Sequence, residues 1–297
     1  MIVPRLILGT ARIAGGFGDR EAIAMVGAAF DAGICAVDTA PSYGLGTAEE
    51  VVGRALAGHP QVEVTTKLGS QRPSHPRLRT LARKIKRLAT SAGEPTASLP
   101  PPQIMAPFGN DFSHAFMARS LALSLERLGR IDTLLLHDIS AAEAGPAVLA
   151  ELERLADGRA TGYASLAQWD QQLDSCFAPF HTAQCAPDPA WLLGTASPTH
   201  GSRLRLHSLA KTGLALAGAD ADFAGRLARA SVLIDADPPT ARIAAIYALA
   251  AQRVPQARLL FTSSHRPRLT ALITALQQID IAQAAPEIAS CFALQDG

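Results

Sequence analysis

The chain is poor in the residues that mark several common functions. Aromatics make up 5% of its 297 positions, too few to line a base-stacking groove. The formal net charge is +1, so no bulk basic field draws it to nucleic acid or to an anionic membrane surface. Cysteine is limited to Cys35, Cys176, Cys185 and Cys291, scattered and without a CxxC pair. That spacing fits buried thiols in a reducing compartment better than a disulfide frame or a zinc site. The stretch MIVPRLILGTARIAGG lacks a signal-type apolar region, and no later run approaches the length of a membrane span. A cytoplasmic protein is expected, with no metal, no nucleic acid and no membrane contact.

What is present is apolar material. Hydrophobic residues are 48% and charged residues 18% of the chain, enough for a large core and far from the signature of disorder. Short β-branched or apolar runs alternate with segments of helical period. Strands are expected near 6–8, 34–37, 62–66, 133–136, 161–164, 182–186, 203–207 and 258–261. Helices are expected over 19–32, 47–57, 114–128, 146–156, 167–175, 219–230, 240–252 and 267–277. Eight strand–helix units in one chain favour a closed (β/α)8 TIM barrel over an open doubly wound sheet. The expected domain is a single barrel over 1–297, interrupted by a Pro-rich excursion at 69–113 that contains a short basic helix at 78–88.

The stretch CAVDTAPSYGLGTAE places Asp38 and Tyr43 across a strand end and a Gly-rich turn. An Asp there can be an ordinary cap, and Tyr-Gly before a helix can be loop packing. In a barrel, however, residues at the C-terminal ends of strands line the mouth where chemistry occurs. Asp38, Lys67, His137, Gln184, Ser208 and Ser263 all fall at such ends. Asp38 and Lys67 end neighbouring strands, so an ion pair is expected between them. An ammonium beneath the Tyr43 hydroxyl favours phenolate and is expected to bring the phenol below its usual value of about 10. His137, on the next strand, can orient a substrate oxygen. The four make a proton-transfer site for a carbonyl or an alcohol.

These residues carry a resemblance. Val37-Asp-Thr-Ala-Pro-Ser-Tyr-Gly-Leu-Gly-Thr-Ala-Glu49, Thr66-Lys67 after a β-branched strand, and the run from Ser120 through Ile131-Asp132 to Leu136-His137 resemble the aldo-keto reductases. The resemblance implies a barrel oxidoreductase that uses NADPH/NADP+, with NADH as the alternative. It makes Tyr43 the acid/base, Lys67 and Asp38 its tuning pair, and His137 the orienting group. The substrate would be a small carbonyl compound or a sugar, since His137-Asp138 and the long excursion also resemble the aldose-dehydrogenase branch. A monomer or small homo-oligomer is expected.

The later half matches less evenly. Gln184 stands where the family holds the nicotinamide amide, His207 where an aromatic stacks on that ring, and Ser208-Leu209 where a Ser-Pro-Leu turn meets the pyrophosphate. Ser263 and Arg268 resemble the grip on an adenosine 2′-phosphate, for which the planar guanidinium is suited. Ser165 and the first-strand turn Gly9-Thr10 complete the expected cofactor set. Departures occur at Ala164-Ser165 for Ser-Asn, which loses an amide contact to nicotinamide, at Thr262 for Lys, and at Ala271 and Leu272 for Glu and Asn.

Competing readings stand beside these. Gly44-Leu45-Gly46 lacks the third glycine of a dinucleotide fingerprint. The basic run at 77–87 reads as a solvated helix face. His75, His114, His181 and His265 lack ligand spacing, and Trp169 and Trp191 suit either pocket or barrel exterior. A catalytically weak nucleotide-binding accessory protein on the same fold is the alternative function. An unrelated barrel lyase or isomerase would need a phosphate site or metal cluster that the sequence does not offer.

Overall fold

Strand alternation sends every second side chain to the helices and the others to the barrel axis, and here the two sets differ in chemistry. Leu6 and Leu8, Val37, Val64, Leu134 and Leu136, Leu204 and Leu206 face outward into one continuous core under the helices. On the inner side Ile7, Ala36 and Leu260 form only a small apolar cluster. The rest of the inner wall is largely polar.

The structure is a computed structural model that describes residues 1–13, 19–74, 109–197 and 203–293. Its strands are β1 Leu6–Gly9, β2 Ala36–Asp38, β3 Glu63–Leu68, β4 Thr133–His137, β5 Ala160–Gln168, β6 Thr182–Ala186, β7 Arg203–Leu206 and β8 Arg258–Phe261. All pair in parallel in chain order, and β1 closes on β8. This is the expected (β/α)8 barrel. The helices are α1 Arg20–Asp31, α2 Ala48–Ala55, α3 His114–Leu128, α4 Pro146–Ala156, α5 Gln171–Asp174, α6 Pro189–Leu193, α7 Leu209–Ala219, α8 Ala221–Val232, α9 Pro238–Arg253, α10 Arg266–Ile281 and α11 Ala285–Ser290.

Local signals explain most boundaries. Gly33, at φ 92, ends α1, and Pro146 starts α4 at a position where its missing N–H costs nothing. Gly53 lets α2 and α3 approach closely, since a Cβ there would lie 1.8 Å from the Arg127 carbonyl oxygen. Alanine-rich α9 is buried on nearly all sides, from Ala241 to Ala251.

The helix expected over 167–175 is a correction. After a register shift β5 continues to Gln168, which pairs with Ala186, and Asp170 caps a short α5 by accepting from Leu173 N at 2.7 Å. The helix expected over 219–230 is α8, and an unexpected helix, α7, precedes it; Asp220 ends α7 and caps α8 through the Asp222 and Phe223 amides. Asp19 does not cap α1 with its side chain; it pairs with Arg54 instead. Only Cys185 of the four cysteines is buried, and Cys35 is exposed.

The helix expected at 78–88, the basic run at 77–87 and His75 lie outside the described residues. The two ends of that excursion are anchored. Asp111 N donates to Gly69 O at 2.9 Å. Gly69 has φ 98, and the Phe112 ring lies 2.2 Å from where a Cβ on it would stand. No described helix is long and apolar enough to cross a membrane.

Candidate active site

Three adjacent strands bring the expected tetrad together. Asp38 ends β2, Lys67 lies on β3 and His137 ends β4, while Tyr43 follows β2 in a 3-10 turn, Tyr43–Gly46. The turn uses left-handed backbone at Gly44 and Leu45, a conformation that costs a non-glycine residue such as Leu45 roughly 1 kcal/mol. Thr47 Oγ1 holds it by donating to Gly44 O at 2.7 Å. Ala40 and Ala48 pack beside the phenol ring.

Lys67 is fully buried and Asp38 is 1% exposed. Lys67 Nζ donates to Asp38 Oδ1 at 2.6 Å and to Thr39 O at 2.9 Å. The same Nζ lies 4.5 Å from the Tyr43 ring centroid. The His137 ring meets the Tyr43 ring edge to face, with centroids 5.6 Å apart. One phenol, one ammonium and one imidazole thus converge on the barrel mouth.

The electrostatics correct one expectation. Burial pushes the Tyr43 phenol above its ordinary value, and the attraction and hydrogen bond of Lys67 offset this only in part. Sequence identifies the neighbouring ammonium but not the depth of burial that outweighs it. Lys67 itself is raised: desolvation opposes its charge, but the pull of Asp38 and Tyr43 prevails. His137 is pushed down to about 3 by burial and by Lys67, so its imidazole is neutral near pH 7 and can donate one hydrogen bond and accept another.

The expected cofactor residues have mixed fates. Gln184 is buried on the inner face of β6, and its Oε1 has no hydrogen-bond partner among the described residues. A buried carbonyl oxygen left unpaired is costly, and an amide N–H₂ from a bound group would satisfy it. His207 is fixed at both nitrogens, 2.7 Å from Ser165 O and 2.9 Å from Ser208 Oγ. Donation to the Ser165 carbonyl puts the proton on Nε2 and leaves Nδ1 to accept from the hydroxyl. Ser208, at φ 58, leads into α7. Beside it a cleft of about 340 Å³ is lined by Leu166, Ala186, Pro189, Ser208, Lys211 and Thr212, among others.

Other expected residues contribute backbone or nothing to a pocket. The Leu209 side chain is fully buried in the core. Thr10 is buried, and its hydroxyl and amide both donate to Asp38 O at 3.0 Å, which makes it a brace for β2. Gly9 is paired with Asp38 in the same register. Ser263 Oγ accepts from His265 N at 3.1 Å near the start of α10, and Arg268 is exposed on its first turn. Trp191 is buried, and Trp169 packs against the same core. His181 pairs with Asp174, and His114 with Glu151. No group of three or more potential metal ligands occurs among the described residues.

Sequence reasoning missed two residues. Asn110, at the exit of the excursion, donates from Nδ2 to His137 O at 2.8 Å and to Asp138 O at 3.1 Å. Arg205 lies inside the barrel, 5% exposed. Its signal was present in the alternation Arg203-Leu-Arg-Leu-His207, which puts it on the same face as His207.

Comparison with known proteins bears on the family and the fold. The sequence model of the aldo/keto reductase family matches residues 5–170. A D-threo-aldose 1-dehydrogenase of Pseudomonas sp is 36% identical over 145 residues, a match that spans 46% of this chain and only 41% of that protein. The glycerol dehydrogenase of Gluconobacter oxydans superposes with a TM-score of 0.62 at 20% identity, covering 99% of this chain and 94% of that one. An aldo/keto reductase from Klebsiella pneumoniae, solved in complex with NADP and acetate, superposes with a TM-score of 0.55 at 20% identity, covering 97% and 92%. At these identities the structural likeness speaks to the barrel, whereas the sequence match takes in Asp38, Tyr43, Lys67 and His137 together. With more than half of its length matched in this way, the chain belongs to the aldo/keto reductase family.

Proposed function

We propose that this protein is an NAD(P)(H)-dependent oxidoreductase that moves a hydride between nicotinamide and the carbonyl or alcohol carbon of an aldehyde, ketone or aldose. The observation that carries the reading is the convergence of Tyr43, Lys67 and His137 over the buried Asp38–Lys67 pair. The nucleotide, when bound, supplies the hydride donor or acceptor. The chain's own residues do the rest.

Tyr43 exchanges the proton on the substrate oxygen. The Lys67 charge makes its phenolate accessible against the cost of burial, and Asp38 keeps Lys67 in place. Neutral His137 holds the same oxygen by a hydrogen bond without adding charge. The unpaired Gln184 Oε1 fits the amide of nicotinamide. Ser208 and Lys211 in the cleft at the start of α7 suit phosphate oxygens, and exposed Arg268 favours a 2′-phosphate, hence NADP(H). The match to an aldose 1-dehydrogenase supports oxidation of a sugar as the working direction. In this reading the whole chain serves as one barrel domain.

The test is turnover of a panel of aldehydes, ketones and aldoses with NADP(H) and NAD(H), wild type against Tyr43→Phe. The variant is expected to lose on the order of 10²–10⁴ in kcat while still binding nucleotide. Retained turnover by Tyr43→Phe overturns the role given to the phenol. Nucleotide binding without turnover by the wild type would favour the accessory-protein reading.

A further inference from the structure

Beneath the tetrad the barrel holds a second layer of charge that the proposed mechanism does not use. Glu63, Thr65 and Lys67 share the inward face of β3. From β7, Arg205 reaches across the axis to all but the last of them: Nη1 donates to Thr65 Oγ1 at 2.5 Å and Nη2 to Glu63 Oε1 at 2.6 Å. Nη2 also lies 3.2 Å from Thr133 Oγ1 on β4. Glu63 is shared, since Arg258 Nη1 donates to its other oxygen at 2.5 Å. Two guanidinium groups therefore face one carboxylate, and one positive charge in the floor is unmatched there.

The next negative charge up the axis is Asp38. Thr65, which Arg205 grips, is the register partner of Asp38. Asp38 gives Oδ1 to Lys67, while its buried Oδ2 has no hydrogen-bond partner among the described residues. Arg205 and Asp38 attract each other. A buried guanidinium is costly where aliphatic filling would serve, and aliphatic filling does serve on the arc between β7 and β3, at Leu260, Ile7 and Ala36.

We propose that Arg205 is a positioning residue for the tetrad, its permanent charge in the barrel floor attracting Asp38 from below and, through the Asp38–Lys67 pair, setting the electrostatic field at the Tyr43 hydroxyl. The inference rests on reading Tyr43 as the proton-transfer group. The groups that face it are known. Arg205 sees Glu63 from β3, Arg258 from β8 and Asp38 from β2. Tyr43 sees Lys67 from β3, Asp38 from β2, and His137 and Asp138 at the end of β4. Arg205 stays charged at any accessible pH, so it acts as a fixed field and not as a titrating switch.

Only three tyrosines occur in the chain, so ¹³Cζ-tyrosine labelling gives a resolvable titration. The Tyr43 resonance is assigned by its loss in Tyr43→Phe, and buried Tyr163 and Tyr247, both raised, serve as references. Arg205→Met removes positive charge and is expected to move the Tyr43 midpoint up by about one pH unit. Glu63→Gln removes negative charge and is expected to move it down, while Arg205→Lys is expected to restore the wild-type midpoint. A barrel plug without electrostatic influence would alter melting temperatures and leave the midpoint in place, or move it the same way in Arg205→Met and Glu63→Gln; either result overturns the proposal. If Arg205→Met does not fold, a downward shift in Glu63→Gln beside an unchanged midpoint in Arg205→Lys still supports the proposal, and an unmoved midpoint in Glu63→Gln overturns it. Turnover assays on the same samples separate the two readings, because a wild type inactive with NAD(P)(H) removes the proposed function without altering the ordered shifts.

Discussion

Asn110 Nδ2 donates to the carbonyl oxygen of His137 at 2.8 Å, joining the exit of the long excursion to the strand end that carries the imidazole. With the second bond to Asp138 O, one amide fixes two successive peptide units. Phe112 and Asp111 hold the same segment against Gly69, two residues beyond Lys67. Residues 110–112 thus clasp β3 and β4 just where both present their polar side chains.

Asn110→Ala should therefore act on the chemistry more than on nucleotide binding. Misplacing an orienting group by a fraction of an ångström is expected to lower kcat roughly tenfold, with the nucleotide dissociation constant unchanged. Steady-state kinetics and fluorescence titration on one preparation measure both. An unchanged kcat would mean that the clasp leaves His137 where it was.

Asp38→Asn should leave the Lys67 ammonium buried without its counter-charge. Breaking a buried pair from one side costs roughly 3–5 kcal/mol, read as a drop in the urea midpoint. Adding Lys67→Met should recover much of that stability, since no unpaired charge then remains. A double variant no more stable than Asp38→Asn would place the cost elsewhere.

Acid stability should carry the mark of His137. Its folded value is depressed from 6.5 to about 3, so between those values the unfolded chain binds the proton and the native site does not. Its contribution is complete above about pH 6.5 and is lost as pH falls toward 3, a change of several kcal/mol. His137→Gln should flatten the dependence of unfolding free energy on pH in that window. An equal slope in wild type and variant would assign the acid sensitivity to the carboxylates.

Gly53→Ala probes packing away from the site. The new methyl would meet the Arg127 backbone between α2 and α3, and overpacking of this kind costs about 1–3 kcal/mol. The melting temperature should fall while kcat at room temperature stays unchanged.

The barrel was legible because its strands are short apolar or β-branched runs closed by one polar residue. β4 is the clearest instance, Thr133-Leu-Leu-Leu-His137, and its bounds needed no tertiary information. Asp38, Lys67 and His137 were legible for the same reason, as polar residues at or near the ends of such runs, and Tyr43 through the Gly-rich turn that follows Asp38. Asn110 was not, because its partner lies 27 positions away across a Pro-rich stretch with no periodicity. The direction of the Tyr43 shift was misread because neighbours can be named from sequence while burial cannot. The helix expected over 167–175 failed where β5 shifts register, an event fixed by its partner strand and not by its own residues.

The closure of the barrel in chain order has a bearing on how such a protein can diversify. Asp38, Tyr43, Lys67 and His137 occupy one contiguous arc, β2 to β4, while Gln184, His207, Ser208, Ser263 and Arg268 occupy the arc from β6 to β8 and the turn beyond it. In the proposed reading, proton handling and most of the grip on the coenzyme thus fall on separate halves of the polypeptide, joined along the β5–β6 and β8–β1 seams. A recombinant joining residues 1–170 of this chain to the second half of an NAD-selective relative would exchange the electron carrier while inheriting the acid–base chemistry whole.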